Sequence, residues 1–256
     1  MKLKIGIFAL CLGVVFTYSG CKKSASTPAD PALSASDVAG QVALNIDQSL
    51  FGGLGVDLSG GLSSPTTFAM HTKGKVLQSL TNPDCSLVVD TTMSFTGTAN
   101  GGSATIGGTF KFSFGCTNNV VSSFTTADNL TITLTSPSLN LSYKVDENLT
   151  VASLNPTNAN ANLTINGSLN SSGSYQYNTG SKRSGTEVFD YTLSSVIFSP
   201  TLGDVVSGAA TFNTSGTGPK GVWNYQGTIA FQGNHIALVT INGKAYTVNL
   251  LTGAVS

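Results

Sequence analysis

The chain has 256 residues and carries almost no charge: twelve Lys or Arg balance twelve Asp or Glu, together 9% of the sequence. No basic cluster is available to neutralise a phosphate backbone, which excludes nucleic acid as a partner. The length is ample for a large core, as one all-β domain or two smaller ones.

The chain opens on Met1, Lys2, Leu3 and Lys4, a short positive segment. From Ile5 to Tyr18 it is almost wholly apolar, and it then reaches Ser19, Gly20 and Cys21. That apolar run has the length of a signal-peptide core and falls short of the roughly 20 residues a spanning helix needs. Small residues just before a cysteine suit a lipoprotein signal peptidase, and the segment resembles the bacterial lipobox, with Tyr18 where an aliphatic residue is usual. Residues 1–20 are therefore expected to be an export signal, and Cys21 the lipidated first residue of the mature chain. Two or three acyl chains hold a protein on a membrane lastingly, since each buried methylene contributes about 0.8 kcal/mol. The expected location is the bacterial cell envelope, most simply the outer membrane, on either its periplasmic or its surface face.

Residues 21–33 are rich in Ser, Ala and Pro and have no period, as in a flexible tether. Residues 34–51 are the single helix candidate. Ser34 with Asp37 is a capping-box pattern, Val38, Val42, Ile46 and Leu50 recur every four residues, and Gly52-Gly53 offers a stop. The Gly-rich stretch 52–64 lacks the phosphate-loop pattern and reads as a connector.

From about Phe68 to the end the signal has period two. Phe110, Phe112 and Phe114 alternate with polar residues, as do Leu130, Ile132 and Leu134, then Leu139, Leu141, Tyr143 and Val145. The same holds for Phe189, Tyr191 and Leu193, for Trp223, Tyr225, Ile229 and Phe231, and for Tyr246, Val248 and Leu250. The opposite faces carry Thr, Ser and Asn, as in antiparallel sheets with one wet face. Asn100-Gly101, Asn166-Gly167 and Asn242-Gly243 are type I′ turn signals. Gly233-Asn234 and Thr252-Gly253 are weaker ones. Asp146-Glu147-Asn148 falls between two alternating runs and is expected to be a solvated turn. The expectation is an all-β protein of about eleven to thirteen strands. It would be a long antiparallel meander forming a sandwich or a curved, barrel-like sheet, preceded by one amphipathic helix, with residues 34–256 as one domain.

Chemistry is hard to find. The two histidines, His71 and His235, are far apart, and no GxSxG elbow accompanies them. The mature acids are scattered, with Asp146-Glu147 the adjacent pair. Cys85 and Cys116 remain after the leader, an even count that in an oxidising compartment suggests a disulfide. No histidine joins them at zinc spacing. Trp223, Tyr225, Tyr175 and Tyr177 are the aromatics that would stack on a sugar if they stood on an exposed face; the commoner role of such alternating rings is core. No enzyme activity, metal or cofactor is expected.

The carboxy-terminal pattern is W-x-Y-x-G-x-I-x-F over residues 223–231 and I-N-G-x-x-Y-x-V-N-L over residues 241–250. Together with the lipobox and the low-charge Thr/Asn-rich strands, it resembles envelope lipoproteins of the Bacteroidota that have no assigned function. The resemblance implies a lipid-anchored all-β protein and carries over no catalytic residue. The expected role is a non-catalytic binding or structural module, in contact with the membrane through its anchor and with a glycan, a lipid or an envelope protein through its sheet. A hydrophobic-ligand or lipid carrier is the alternative, and a pilin-like or adhesin-like surface subunit a further one.

Overall fold

A computed structural model describes residues 33–47, 49–50, 71–72, 75–76, 85, 87–99, 101–158, 160–180, 182–219 and 221–256. The expected signal, the tether up to residue 32, Cys21 and the connector at 52–64 lie outside them. No described helix is long and apolar enough to cross a membrane.

The helix α1 spans Ala35–Asp47. Its start is the capping box expected from sequence: the Asp37 amide donates to Ser34 Oγ at 3.2 Å, and Ser34 Oγ donates to the Asp37 carboxylate at 2.8 Å. Val38, Ala39, Val42, Ala43 and Ile46 are fully buried. Leu33, placed in the tether by composition, is buried as well, so the packed body begins one residue earlier than expected.

Twelve strands follow among the described residues. A two-stranded hairpin is formed by β1 (His71–Thr72) and β2 (Lys75–Val76). The others are β3 (Val88–Ala99), β4 (Gly102–Thr117), β5 (Val120–Thr135), β6 (Leu139–Ser153), β7 (Leu163–Tyr177), β8 (Ser184–Ser199), β9 (Asp204–Gly218), β10 (Gly221–Gly233), β11 (Ile236–Ile241) and β12 (Lys244–Asn249). These ten form one open antiparallel sheet in plain sequence order, so each strand pairs with its chain neighbours. The all-β meander with an amino-terminal helix is thus the fold.

Three turn expectations meet different outcomes. Asn242-Gly243 joins β11 to β12 with φ of 51° and 78°, as a type I′ turn requires. Asn166-Gly167 is no turn. It lies inside β7 at a register shift, where Asn166 Oδ1 accepts the Ser195 amide across a matching irregularity in β8. Asp146-Glu147-Asn148 is no turn either: β6 runs straight through it in register with β5 and β7. The β4–β5 turn is made instead by Asn118-Asn119, both at positive φ.

Pairing places one set of side chains on a dry face from β4 to β12. Phe112, Thr126, Leu149, Gly167 and Leu193 make one cross-strand row; Phe114, Phe124, Val151 and Ile165 make the next. The helix packs on this face against β8, β11 and β12. Five adjacent strands span about 19 Å at a spacing of about 4.8 Å. A helix is only about 10–12 Å across, narrower than this half of the sheet. Two tyrosines bolt the helix down: Tyr191 Oη donates to the Val42 carbonyl at 3.2 Å and Tyr225 Oη to the Leu33 carbonyl at 2.8 Å.

The cysteine pair forms the expected disulfide, Cys85–Cys116, with a Cα–Cα distance of 5.6 Å. It ties the entry to β3, an edge strand, to the end of β4. Closing a loop of 31 residues corresponds to about 3–4 kcal/mol of lost unfolded-state entropy. Cys116→Ser, or reduction, should therefore lower the unfolding free energy by that amount and bring the urea midpoint down with it, the slope rising as the uncrosslinked unfolded chain exposes more surface. An identical midpoint with and without reductant would show that the bridge does not form.

Candidate functional site

Two surfaces of the sheet carry polar groups in unusual arrangements. The first is a seam of polar side chains within the dry face. Asp128 of β5 lies directly opposite Glu147 of β6 in the register, and both point to that face. Thr126 Oγ1 donates to Glu147 Oε1 at 2.7 Å. Burial is the main force on Asp128 and the facing Glu147 charge adds to it, pushing its pKa up to about 7. Burial also raises Glu147, and the Thr126 hydrogen bond partly offsets this. Both carboxyls thus keep their protons to higher pH than free ones do.

Further along the face, Glu187 of β8 is only 2% exposed. Its cross-strand neighbours are Gly173 and Gly216, and each glycine is overlaid by a ring. A Cβ added at Gly173 would stand 2.7 Å from the Tyr143 ring, and one at Gly216 2.2 Å from the Trp223 ring. Tyr175 covers Gly185 in the same way. Ser171 Oγ, Thr214 Oγ1, Trp223 Nε1 and Asp128 Oδ1 are buried here without a hydrogen-bond partner.

The four aromatics singled out from sequence therefore all face inward. Trp223 and Tyr175 are buried and pack on glycines. Tyr225 is half-buried and holds Leu33, while Tyr177 packs edge-on against Tyr175 with centroids 6.0 Å apart. None of the four stands on the wet face. His235 is also occupied: its amide and its Nδ1 contact the buried Asp204 carboxylate at 3.0 and 3.2 Å. Asp47, at the end of α1, sits beside them with its pKa raised to about 6, by burial first, with His235 opposing and Asp204 reinforcing. This cluster joins the helix end to two turns, and no serine hydroxyl is bonded to His235 among the described residues.

The second surface is the wet face, a lattice of hydroxyl and amide side chains. One row runs Thr96, Thr105, Thr133, Ser142, Ser174, Thr186 and Thr217 over seven strands. Two neighbouring pairs in it bond to each other, Thr105 with Thr133 and Thr186 with Thr217. The few charges pair locally, Lys111 with Asp90 and Lys144 with Asp146. Over β9, β10, β11 and the β11–β12 turn this face sinks into a shallow groove of about 430 Å³, lined by Thr211, Asn213, Gln226, Thr228, Thr240 and Asn242 together with Phe212, Gly227 and Gly243.

Sequence reading missed Asp128, because its partner Glu147 is nineteen positions away and was assigned to a turn. It missed the groove because its residues come from three strands and a turn. In isolation each is an ordinary polar position of an alternating run.

The Asp128 shift has a sign that can be checked. A carboxyl whose folded pKa is raised stabilises the fold below its unfolded pKa and loses that contribution as pH rises through the folded one. Stability should therefore fall from pH 3.8 to about 7, with Glu147 and Asp47 acting in the same direction. Asp128→Asn should raise the melting temperature at pH 8, leave it unchanged at pH 3.5, and flatten the slope between. An equal shift at both pH values would contradict the assignment. Comparison with family models, with curated proteins and with solved structures gives no match.

Proposed function

We propose that this is a lipid-anchored protein of the bacterial envelope that acts by binding, the wet face of its sheet being the surface it presents. The observation that carries this reading is the neutral polar lattice itself. Hydroxyl and amide groups repeat in cross-strand register over most of a ten-stranded sheet, with few charges among them. Such a face selects uncharged, hydrogen-bonding partners and gives little purchase to ionic ones. Cys21 supplies the attachment, and the segment behind it lets the body stand off the membrane. The likeness of the leader and the carboxy-terminal strands to Bacteroidota envelope lipoproteins supports the same placement.

Two measurements test it. Wild-type chain should sediment with membranes, lack residues 1–20 and carry acyl mass on Cys21, and Cys21→Ser should carry no acyl mass; a soluble, unacylated wild type would overturn the anchoring. Catalysis is the rival, and Asp128 with Glu147 is the pair that would perform it as general acid and base. A hydrolase turnover abolished by Asp128→Asn or Glu147→Gln would overturn the binding reading.

The carrier remains a second reading, favoured by the buried, unpartnered Ser171, Thr214 and Trp223 groups on the dry face. An amphiphile held there would supply acceptors to the indole N–H, which can only donate. Native mass spectrometry of the Cys21→Ser chain purified without detergent should then show a bound lipid. Bare protein mass in every preparation would sink this second reading.

A further inference from the structure

We infer that the free edge of β3 is an interface between two copies of this chain, joined β3 to β3, antiparallel, about a two-fold axis at residue 93. The two ten-stranded sheets then run on as one. The inference stands apart from the binding-module reading, because it uses the edge of the sheet and neither of its faces.

The sheet has two edges, β3 and β12, and they differ. The β12 edge is six residues long and occupied. The Asn249 amide donates to the Ala254 carbonyl and the Ser256 amide to the Thr247 carbonyl, both at 2.9 Å, and Val255 bridges Val248. The β3 edge is twelve residues long and keeps register with β4 throughout, without a bulge. It contains no proline, lysine or arginine. Those are the devices with which proteins blunt an edge. Its one charge, Asp90, is paired with Lys111 of β4 at 2.9 Å.

In an antiparallel ladder, residues that bond to the neighbouring strand alternate with residues whose N–H and C=O point away from it. The Phe114 amide donates to the Leu87 carbonyl at 3.3 Å, and this sets the phase. Odd-numbered residues of β3 bond to β4. The outward groups therefore belong to Val88, Asp90, Thr92, Ser94, Thr96 and Thr98. All six residues are exposed, and β1, which passes beside β3, leaves them so. A row of unpaired backbone groups of this length is a template for another strand.

The row is complementary to itself. The antiparallel register that uses all six residues on both copies puts residue 93 on the axis. Asp90 then faces Thr96 of the second copy, and Thr92 faces Ser94. A carboxylate meets a hydroxyl, hydroxyls meet each other, and no like charges meet. On the other side of the sheet Thr91 faces Phe95, a β-branched residue against a ring, and Val89 faces Gly97. Phe95 is 37% exposed, the one exposed aromatic among the described residues. Its ring lies along its own strand toward Gly97, 3.2 Å from where a Cβ there would stand. The ring is thus in place to cover the second copy's Val89.

This pairing uses up both free edges, and the occupied β12 edges stop further growth, so the assembly closes at two copies. One strand pair buries less area than a standard interface. Association is therefore weak between free chains and favoured where copies share a membrane.

The test uses the full chain, purified in detergent. Amide hydrogen exchange is followed at low and at roughly hundredfold higher protein concentration. The six outward amides should exchange about tenfold more slowly at the higher concentration, and those of Val89, Thr91, Phe95 and Gly97 should not change. Facing residues on the axis come close enough for a disulfide. Met93→Cys should therefore cross-link to a second copy in the membrane. Thr91→Cys and Phe95→Cys should cross-link when mixed and not singly. Ser94→Pro removes an outward N–H and leaves the β4 ladder whole, and Thr92→Lys brings like charges together across the axis. Both should abolish the dimer, with an unchanged unfolding midpoint in dilute solution. A monomer at every concentration overturns the inference, as does a dimer that survives both substitutions. Cross-linking of Met93→Cys only to a different envelope protein also overturns it, by giving the edge to another strand.

Discussion

Everything in this molecule depends on register. Because side chains alternate from face to face, a one-residue slip in any strand would move its whole apolar set into water and its threonines into the core. Ten strands hold a common register with few shifts, at Gly115/Cys116, Ile165/Gly167, Ser194/Ile197/Phe198 and Phe231/Gly233. The dry face enforces it through shape as well as hydrophobicity. Tyr143 fits over Gly173, Tyr175 over Gly185, Trp223 over Gly216 and Phe212 over Gly227. Each fit demands that a ring and a missing Cβ meet on facing strands, so each pins one pair in place. A Cβ at any of these glycines would come within 2.8 Å of ring atoms.

The same face tolerates groups that work against the fold. Facing carboxyls at Asp128 and Glu147, both partly buried, are costly there, and Glu187 is more deeply buried still. Sheets with one wet face have ample room for acids outside, as Asp90, Asp146 and Asp190 show. Acids inside cost the fold stability that acids outside do not. They also divide the apolar interior, since the side chains around Ile106, Ile132 and Tyr175 form a cluster separate from the main core around α1.

Much of the architecture was legible in the sequence, and the failures have physical causes. Ser34 and Asp37 announced the helix because capping is local chemistry. The period-two runs announced the strands because alternation needs no knowledge of partners. Asp146-Glu147-Asn148 misled because these residues are depleted in strands. Pairing with Asp128 and Asn129 on one side and Leu169 and Asn170 on the other overrides that preference. Strands of fifteen or sixteen residues are far above the usual five or six, so one strand was taken for two. Asn166-Gly167 carries turn chemistry, yet the chain uses it for a bulge that Asn166 itself completes at Ser195. The groove was beyond reach in principle: Asn213, Gln226 and Asn242 become neighbours only once pairing is known.

The sequential strand order has a consequence for how the chain acquires its structure. No strand of the large sheet waits for a distant partner; each is built onto the one before it. Such a sheet can grow by accretion, adding one hairpin at a time, which spares it the long loop closures that make most β proteins slow folders. The exception is α1. Its two tyrosine bolts span 149 and 192 residues of sequence, and Gly40 rests against Gly253, near the very end. The helix precedes every described strand, yet the strands that seat it come late in the chain. Until β8, β11 and β12 exist, its apolar stripe has no surface of the sheet to bury against.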